Sequence, residues 1–308
     1  MAQTRDIRRR ITTIKNTAQI TKAMQMVSAS KMQKAQDRAL KVLPYAQGLR
    51  DIIAKIGRIR EYTNIYLKQP ETVKNIAIIV IGTGRGFVGS MLSSLIIKTS
   101  DLAKSLQEKY AAVEIQGISI HKTGLRILTN ARIKSTYHFA DYVEAPTTTN
   151  LTPVFNLLTE KFGSGEIDEM HLVYTHFINT LKQVAVSKKL LPLELEELLE
   201  TKADSGDMQK VATTAVRTNQ HEQGGYIFEP AIASILDKIL PEYLQTQVFT
   251  GLLESIASEH SARMVAMKNA TDNARELEKI LQLQYNRKRQ AGITQEIIEV
   301  VSGAVALN

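Results

Sequence analysis

The chain has 308 residues, 44% of them hydrophobic and 23% charged, with 16 glycines, 7 prolines and no cysteine. That composition supports about two folded units and excludes wholesale disorder, collagen-like structure, disulfide frameworks, thiolate zinc sites, Cys-ligated iron–sulfur clusters and any dithiol switch. The net charge of +8 is concentrated at one end: residues 1–60 hold 14 Lys and Arg against 3 Asp and Glu, whereas the rest of the chain is close to neutral. One terminal segment therefore has the footprint of a surface that docks on acidic groups. No run approaches about 18 uncharged apolar residues and no secretory segment opens the chain, so a soluble protein of a reducing compartment is expected.

Residues 1–60 read as one long helix rich in Lys, Arg, Gln, Ala, Met and Ile. Ile7, Ile11, Ile14, Ala18 and Thr21 follow alternating spacings of 4 and 3, the seam of a coiled coil. A second apolar set, Ile20, Ala23, Met24 and Val27, lies roughly 160–260° around the helix from the first. A surface helix needs only one apolar face. Such a segment is either buried within its own domain or pairs with one helix while something else wraps its other side, and its basic excess argues against self-burial.

Residues 70–225 alternate strand and helix patterns, which implies an α/β unit with a largely parallel, Rossmann-like sheet. Strands are predicted at Asn75–Ile81, Val113–Ile120, Met170–Phe177 and Gln183–Lys189, with helices at Met91–Tyr110 and from Gly124 to Asn130. Gly163–Gly165 and Ala203–Gly206 read as loops, and Glu194–Glu200 as an acidic stretch. Residues 231–308 form a second long helix. Its seam is Ile256, His260, Arg263, Met267, Ala270, Ala274, Leu277 and Leu281, and the small Ala270 and Ala274 would let a partner helix approach closely. Gly251 and Gly292 inside it are tolerated at about 1 kcal/mol each. The last stretch, Val300–Asn308, carries no charge and is apolar all round; the plain reading of such an ending is a terminal helix docked on its own domain. A helix of about 50 residues spans about 75 Å. Two such helices at opposite chain ends pair most simply as an antiparallel coiled coil that protrudes from the α/β unit.

Gly84, Gly86 and Gly89 follow a strand and precede a helix with the spacing of a dinucleotide-binding fingerprint. The second strand should then end in an acidic residue for a ribose, but it ends in Ile120, His121 and Lys122, and Glu114 lies at its other end. Arg85 is a generic phosphate partner, and glycines at such a turn also serve tight packing. No P-loop pattern, G-x-S-x-G motif or His spacing suited to a metal is present; His171 and His176, five apart, fall on opposite faces of a strand. No catalytic residue, cofactor site or metal site is therefore assigned. Lys31, Lys34, Arg38 and Lys41 make a basic stripe that could follow phosphates. Tyr45 is the one aromatic before residue 60, which disfavours base stacking, and acidic protein loops suit the stripe equally well.

The run Arg5-Asp6-Ile7-Arg8-Arg9-Arg10-Ile11, with Lys15-Asn16-Thr17 and Ile20-Thr21-Lys22-Ala23-Met24, resembles the start of the gamma subunit of F-type ATP synthases. The stretch from Ala262 to Asn273, and Ile293-Thr294-Gln295-Glu296-Ile297 with Val301-Ser302-Gly303-Ala304, resembles the end of the same family, and the similarity covers the full length. Arg85-Gly86 fits the family's strand-to-helix loop, though its flanks depart from the usual form.

The resemblance implies a non-catalytic rotor, whose terminal helices form a shaft inside a ring of alternating alpha and beta subunits. The α/β domain below would contact the epsilon subunit and the membrane ring of c subunits, without nucleic acid as a partner. By the same analogy Met24 lies near Arg263 where the shaft meets a beta subunit, with Lys22 and Lys31 on that contact. Arg289, Gln290, Thr294 and Glu296 form a catch near the upper bearing, and Tyr226 and Glu229 belong to a foot that meets the c-ring and epsilon. No targeting segment precedes the motif, so the cytoplasmic face of a bacterial membrane is expected, and without cysteine the thiol regulation of chloroplast relatives cannot operate. Two other readings are a nucleotide-binding α/β protein with helical arms and a basic coiled-coil adaptor for nucleic acid.

Overall fold

A computed structural model describes residues 2–56, 64–82, 84, 86–110, 112–140, 145–194 and 232–306. Two helices carry the ends of the chain, α1 (Ala2–Ile56) and α5 (Ile232–Ala306). Between them come β1 (Asn75–Ile81), α2 (Met91–Lys109), β2 (Glu114–Ile120), α3 (His121–Asn130), β3 (Ser135–Phe139), α4 (Thr148–Gly163), β4 (Glu169–Phe177) and β5 (Gln183–Leu191). By contacts the chain divides into two compact units, Met1–Ala29 with Arg263–Asn308, and Ser30–Ala262.

In the first unit the two terminal helices pack on one another. Thr271 Oγ1 donates to Thr21 Oγ1 across the pair at 2.8 Å, and Ala18, Met267, Thr271 and Ala274 are buried in the seam. Three of these side chains are Ala or Thr, which allows close helix approach. In the second unit the same helices meet again: the Tyr45 hydroxyl donates to Glu242, and past the end of α1 Asn64 Nδ2 donates to Asp237 Oδ1 at 2.7 Å. Numbers rise along α1 as they fall along α5, so the pair is antiparallel.

The second unit is built on a five-stranded sheet of order β3-β2-β1-β4-β5, parallel except for β5. β1 is its centre, and residues Ile76 to Ile81 are all buried. An unbroken apolar run is what a parallel strand covered on both faces requires. On one face Ile76, Ile78, Val80 and Val173 pack with Leu95, Ala103 and Leu106 of α2 and with Ile127 and Leu128 of α3. On the other face lies α5, where a Cβ on Gly251 would sit 3.1 Å from Leu172, 3.4 Å from Tyr174 and 3.5 Å from Ile81. Gly251 thus permits helix and sheet to approach, which repays its cost in helix propensity.

The antiparallel β5 follows from a local device. The side-chain oxygen of Asn179 accepts from the backbone N–H groups of Leu181 and Lys182 at 2.9 and 2.8 Å, turning the chain back directly after β4. Neither β3 nor α4 was marked by the sequence pattern. β3 is a short edge strand of half-buried and exposed residues, so it lacks a strong apolar signal. α4 carries Pro153 in its second turn, and a proline there reads as a helix break because it removes a backbone hydrogen bond. The Asn150 side chain accepts from the Thr147 backbone N–H at 2.8 Å to close the first turn.

A Cβ on Gly82 would stand 1.9 Å from the backbone N of Gly124, so Gly82→Ala must separate β1 from α3. It is expected to cost about 3 kcal/mol in chemical denaturation, whereas Gly292→Ala, with nothing within 4 Å, is expected to be neutral or stabilising by up to about 1 kcal/mol.

Glu169 is a buried carboxylate of the second unit. Its carboxylate accepts from the Tyr110 hydroxyl at 2.8 Å and meets His171 Nε2 at 2.7 Å. Burial pushes this carboxyl upward, but the hydrogen bonds from His171 and Tyr110 and the charge of Lys189 outweigh it and lower the pKa from 4.5 to about 2. A depressed carboxylate stabilises the fold fully above its unfolded pKa and loses that contribution as pH falls toward its folded one. Unfolding measured between pH 5 and pH 2 should show a loss of up to about 3 kcal/mol attributable to this group, and Glu169→Gln should flatten that slope.

Candidate functional site

The two apolar faces of α1 have different fates in the first unit. Ile7, Ile11 and Ile14 are half-buried and Ala18 is buried, so the predicted seam is the one that meets α5. The second set stays outside: Ile20 is 61% exposed and Val27 54%, with Met26 at 59% beside them. Ala23 is also exposed and Met24 half-buried. A two-helix contact hides one stripe of each helix, and the other stripe of this one is apolar.

α5 shows the same excess further along. The Thr21–Thr271 register sets residue 2 of α1 level with about residue 290 of α5, so α5 overhangs α1 by about four turns. Described residues from Arg287 to Ser302 are all exposed, among them Ile293, Ile297, Ile298, Val300 and Val301. The described part of the uncharged ending is therefore not docked on its own domain. Arg289, Gln290, Thr294 and Glu296 lie on this exposed stretch, where the Thr294 hydroxyl bonds back to the Gln290 carbonyl at 3.0 Å.

Lys22 and Arg263 are half-buried in the first unit, Lys22 Nζ donating to Gln25 Oε1 at 3.3 Å. The helix register sets Met24 level with about residue 268, which leaves Arg263 about 7 Å further along the α5 axis. Lys31 is half-buried on α1 in the second unit, while Lys34, Arg38 and Lys41 are exposed. Tyr226 and Glu229 lie outside the described residues, as do Arg85, the Ala203–Gly206 loop and most of the Glu194–Glu200 stretch.

The glycine loop has the backbone of a ligand-binding turn, with φ of +87°, +108° and +61° at Gly84, Gly86 and Gly89. It sits at the end of β1, and the strand order 3-2-1-4 makes the gap between β1 and β4 the switch point where a dinucleotide would lie. That place is taken by the chain itself. A Cβ on Gly84 would fall 2.6 Å from the Glu259 carboxylate, the Thr123 hydroxyl donates to the Gly84 carbonyl at 3.0 Å, and Gly82 closes on Gly124. The loop thus packs α5 and α3 against the sheet, with the Glu259 side chain filling the space at Gly84.

The residues the sequence reading passed over are the polar ones of α5 at this place. Glu254, Ser255, Ser258, Glu259, His260 and Ser261 are all buried, although only His260 figured in the predicted seam. Serines three apart in an apolar helix are the signal that marked them. Among the described residues no group of three or more His, Asp or Glu could hold a metal ion, and no helix is long and apolar enough to cross a membrane.

A family model described as ATP synthase matches residues 3–307. The ATP synthase gamma chain of Stenotrophomonas maltophilia strain R551-3 is 38% identical over 309 residues, covering all of both chains. That of Roseiflexus castenholzii is 38% identical over 310 residues, covering 100% of this chain and 99% of its own. Among solved structures, a chain from the Euglena gracilis mitochondrial ATP synthase in rotational state 3, described as OSCP/F1/c-ring, superposes with a TM-score of 0.61 at 18% identity. It covers 99% of this chain and 95% of that one, and shares the fold. With its length matched end to end at this identity, the chain belongs to the family of ATP synthase gamma chains.

Proposed function

We propose that the chain is the central-stalk rotor of an F-type ATP synthase, coupling ion flow through the membrane ring to conformational change at catalytic sites on the beta subunits. The observation that carries this reading is the apolar surface the paired helices leave uncovered. Ile20, Met26 and Val27 on α1 and Ile293, Ile297, Val300 and Val301 on α5 are more than half exposed or nearly so. Apolar residues distributed around a basic helix pair suit a spindle enclosed by a collar of alternating alpha and beta subunits.

The rotor performs no bond chemistry itself. It acts as an effector that turns, and an effector shifts a conformational equilibrium only through differential contacts with the states. The surface needed is therefore uneven, and the exposed stripe on α1 together with the α5 overhang makes it so. In this reading residues 1–60 and 231–308 serve as the shaft and residues 70–225 as the domain that meets epsilon and the c-ring, with Tyr226 and Glu229 in the foot. Met24, Lys22, Lys31 and Arg263 face a beta subunit, and Arg289, Gln290, Thr294 and Glu296 form the catch above. The complex sits peripherally on the cytoplasmic face of a bacterial cell membrane.

The direct test is reconstitution of the catalytic hexamer with and without this chain. ATP-driven ion pumping in liposomes should require it, and the isolated chain should hydrolyse no ATP. Met24→Lys brings a further cation to a surface that already holds Lys22, Arg263 and Lys268. It is expected to lower ions pumped per ATP hydrolysed at least about two-fold while hydrolysis continues, by roughly the 0.5–1 kcal/mol of a partly exposed charge contact; an unchanged ratio would remove Met24 from the coupling surface. Deleting residues 299–308 should leave the complex assembled, on native gels, with turnover reduced several-fold by the loss of exposed apolar contacts in the bearing.

A further inference from the structure

β4 outruns its neighbour. Its parallel pairing with β1 ends at Val80↔Val173, while its pairing with β5 continues to Phe177↔Gln183. The β1-side edge of β4 beyond Val173 therefore has no strand beside it, although Thr175 is buried. Backbone groups at such a place must find other partners, and α5 supplies them. Ser255 Oγ accepts from the Thr175 N–H at 3.2 Å, and Ser258 Oγ donates to the Thr175 carbonyl at 3.3 Å. One turn on, Ser261 Oγ donates to the Thr180 carbonyl at 2.7 Å and accepts from Gln183 Nε2 at 3.3 Å. Just before Ser255, a Glu254 carboxylate oxygen meets His176 Nδ1 at 2.5 Å.

Gly251, Glu254, Ser255, Ser258 and Ser261 fall within an arc of about 120° on α5. They alternate a close backbone approach with polar bonds to successive points of β4 and its hairpin. On the flank of that arc Glu259 occupies the space that the missing Cβ of Gly84 leaves open. Throughout, α5 from Gly251 to Ser261 is buried on every side.

We infer that this polar face of α5 is a spline: it fixes the rotational register of the shaft helix on the α/β sheet, so that torque passes between helix and sheet without slip. The inference rests on the rotor reading and adds to it the residues that hold the helix. Apolar side chains alone would hold it poorly, because a helix turning or sliding past leucines and isoleucines exchanges one set of similar contacts for another. The serine and glutamate bonds do not exchange. A turn of about 100°, or a slide of about 1.5 Å, is one residue of helix and takes every hydroxyl off its partner at once. It leaves the Thr175 N–H and C=O buried without bonds, the costly outcome for a polar group. The contact therefore has one register with a steep wall on either side. Ser255, Ser258, Ser261 and Glu254 act in it as positioning residues.

The test uses the assembled complex in liposomes, comparing wild type with Ser255→Ala/Ser258→Ala. Ions pumped per ATP hydrolysed are measured without an opposing ion gradient and then against increasing ones. A slipping spline gives a load-dependent defect: a ratio near wild type without the gradient, falling at least two-fold at the highest, with ATP hydrolysis within two-fold of wild type throughout. A ratio equal to wild type at every gradient, or pumping and hydrolysis that fall in proportion, overturns the inference. If the double variant fails to assemble, Ser261→Ala at the rim of the contact carries the same load-dependent expectation at smaller amplitude, and a load-independent ratio there overturns it equally. A wild-type complex that hydrolyses ATP but pumps nothing overturns the rotor reading, and the spline with it.

Discussion

Pairing of α1 with α5 governs what the rest of the chain can do, because a contact between two helices conceals one stripe of each and leaves the remainder to solvent or to other proteins. Here the concealed stripe runs through Ala18 and Thr21 on one helix and Met267, Thr271 and Ala274 on the other. Small side chains let the backbones approach, and the Thr21–Thr271 bond pins the register. Once that stripe is spent, Ile20, Met26 and Val27 have nowhere to go within the pair. The overhang of α5 follows from the same register, since its partner begins at Ala2. An uneven apolar exterior is thus the direct consequence of how the helices meet.

α5 changes character along its length in step with its surroundings. Between Gly251 and Ser261 it is enclosed on all sides, and its composition turns to glycine, serine, glutamate and leucine. There the sheet offers a strand edge that needs hydrogen bonds, and the helix offers hydroxyls to make them. Past residue 286 it is exposed throughout and its apolar residues spread around it. A single regular helix thereby serves as a packed element in one unit and as an uncovered surface in the other. Its helical backbone, continuous from Ile232 to Ala306, is what allows both.

The glycine loop illustrates how one local pattern can serve two physical ends. A G-x-G-x-x-G turn gives positive φ and close backbone approach, and both are present at Gly84, Gly86 and Gly89. In a dinucleotide-binding protein the space so created is filled by pyrophosphate. In this chain it receives the carboxylate of Glu259, which arrives from a helix about 175 residues away along the chain. The spacing of glycines specifies the cavity and says nothing of its occupant. The missing acidic residue after β2 was the one local sign that the occupant is not a ribose.

Much of the architecture was legible because it depends on period and composition. The seam from Ile7 to Thr21, the buried run of β1, the amphipathic α2 and the heptad spacing around Met267 and Ala274 are each set by residues close in sequence, and each lies where its pattern places it. β3 and α4 escaped because an edge strand needs little apolar surface and a proline in a second turn reads as a helix break. The long-range facts were out of reach in principle. Which face of α1 stays uncovered, why Gly251 is tolerated, and what Ser255, Ser258 and Glu259 touch are all decided by elements that meet only in the fold. Local spacing fixes which stripes of a helix are apolar; tertiary packing alone settles which of those stripes is used up and which is left for another protein.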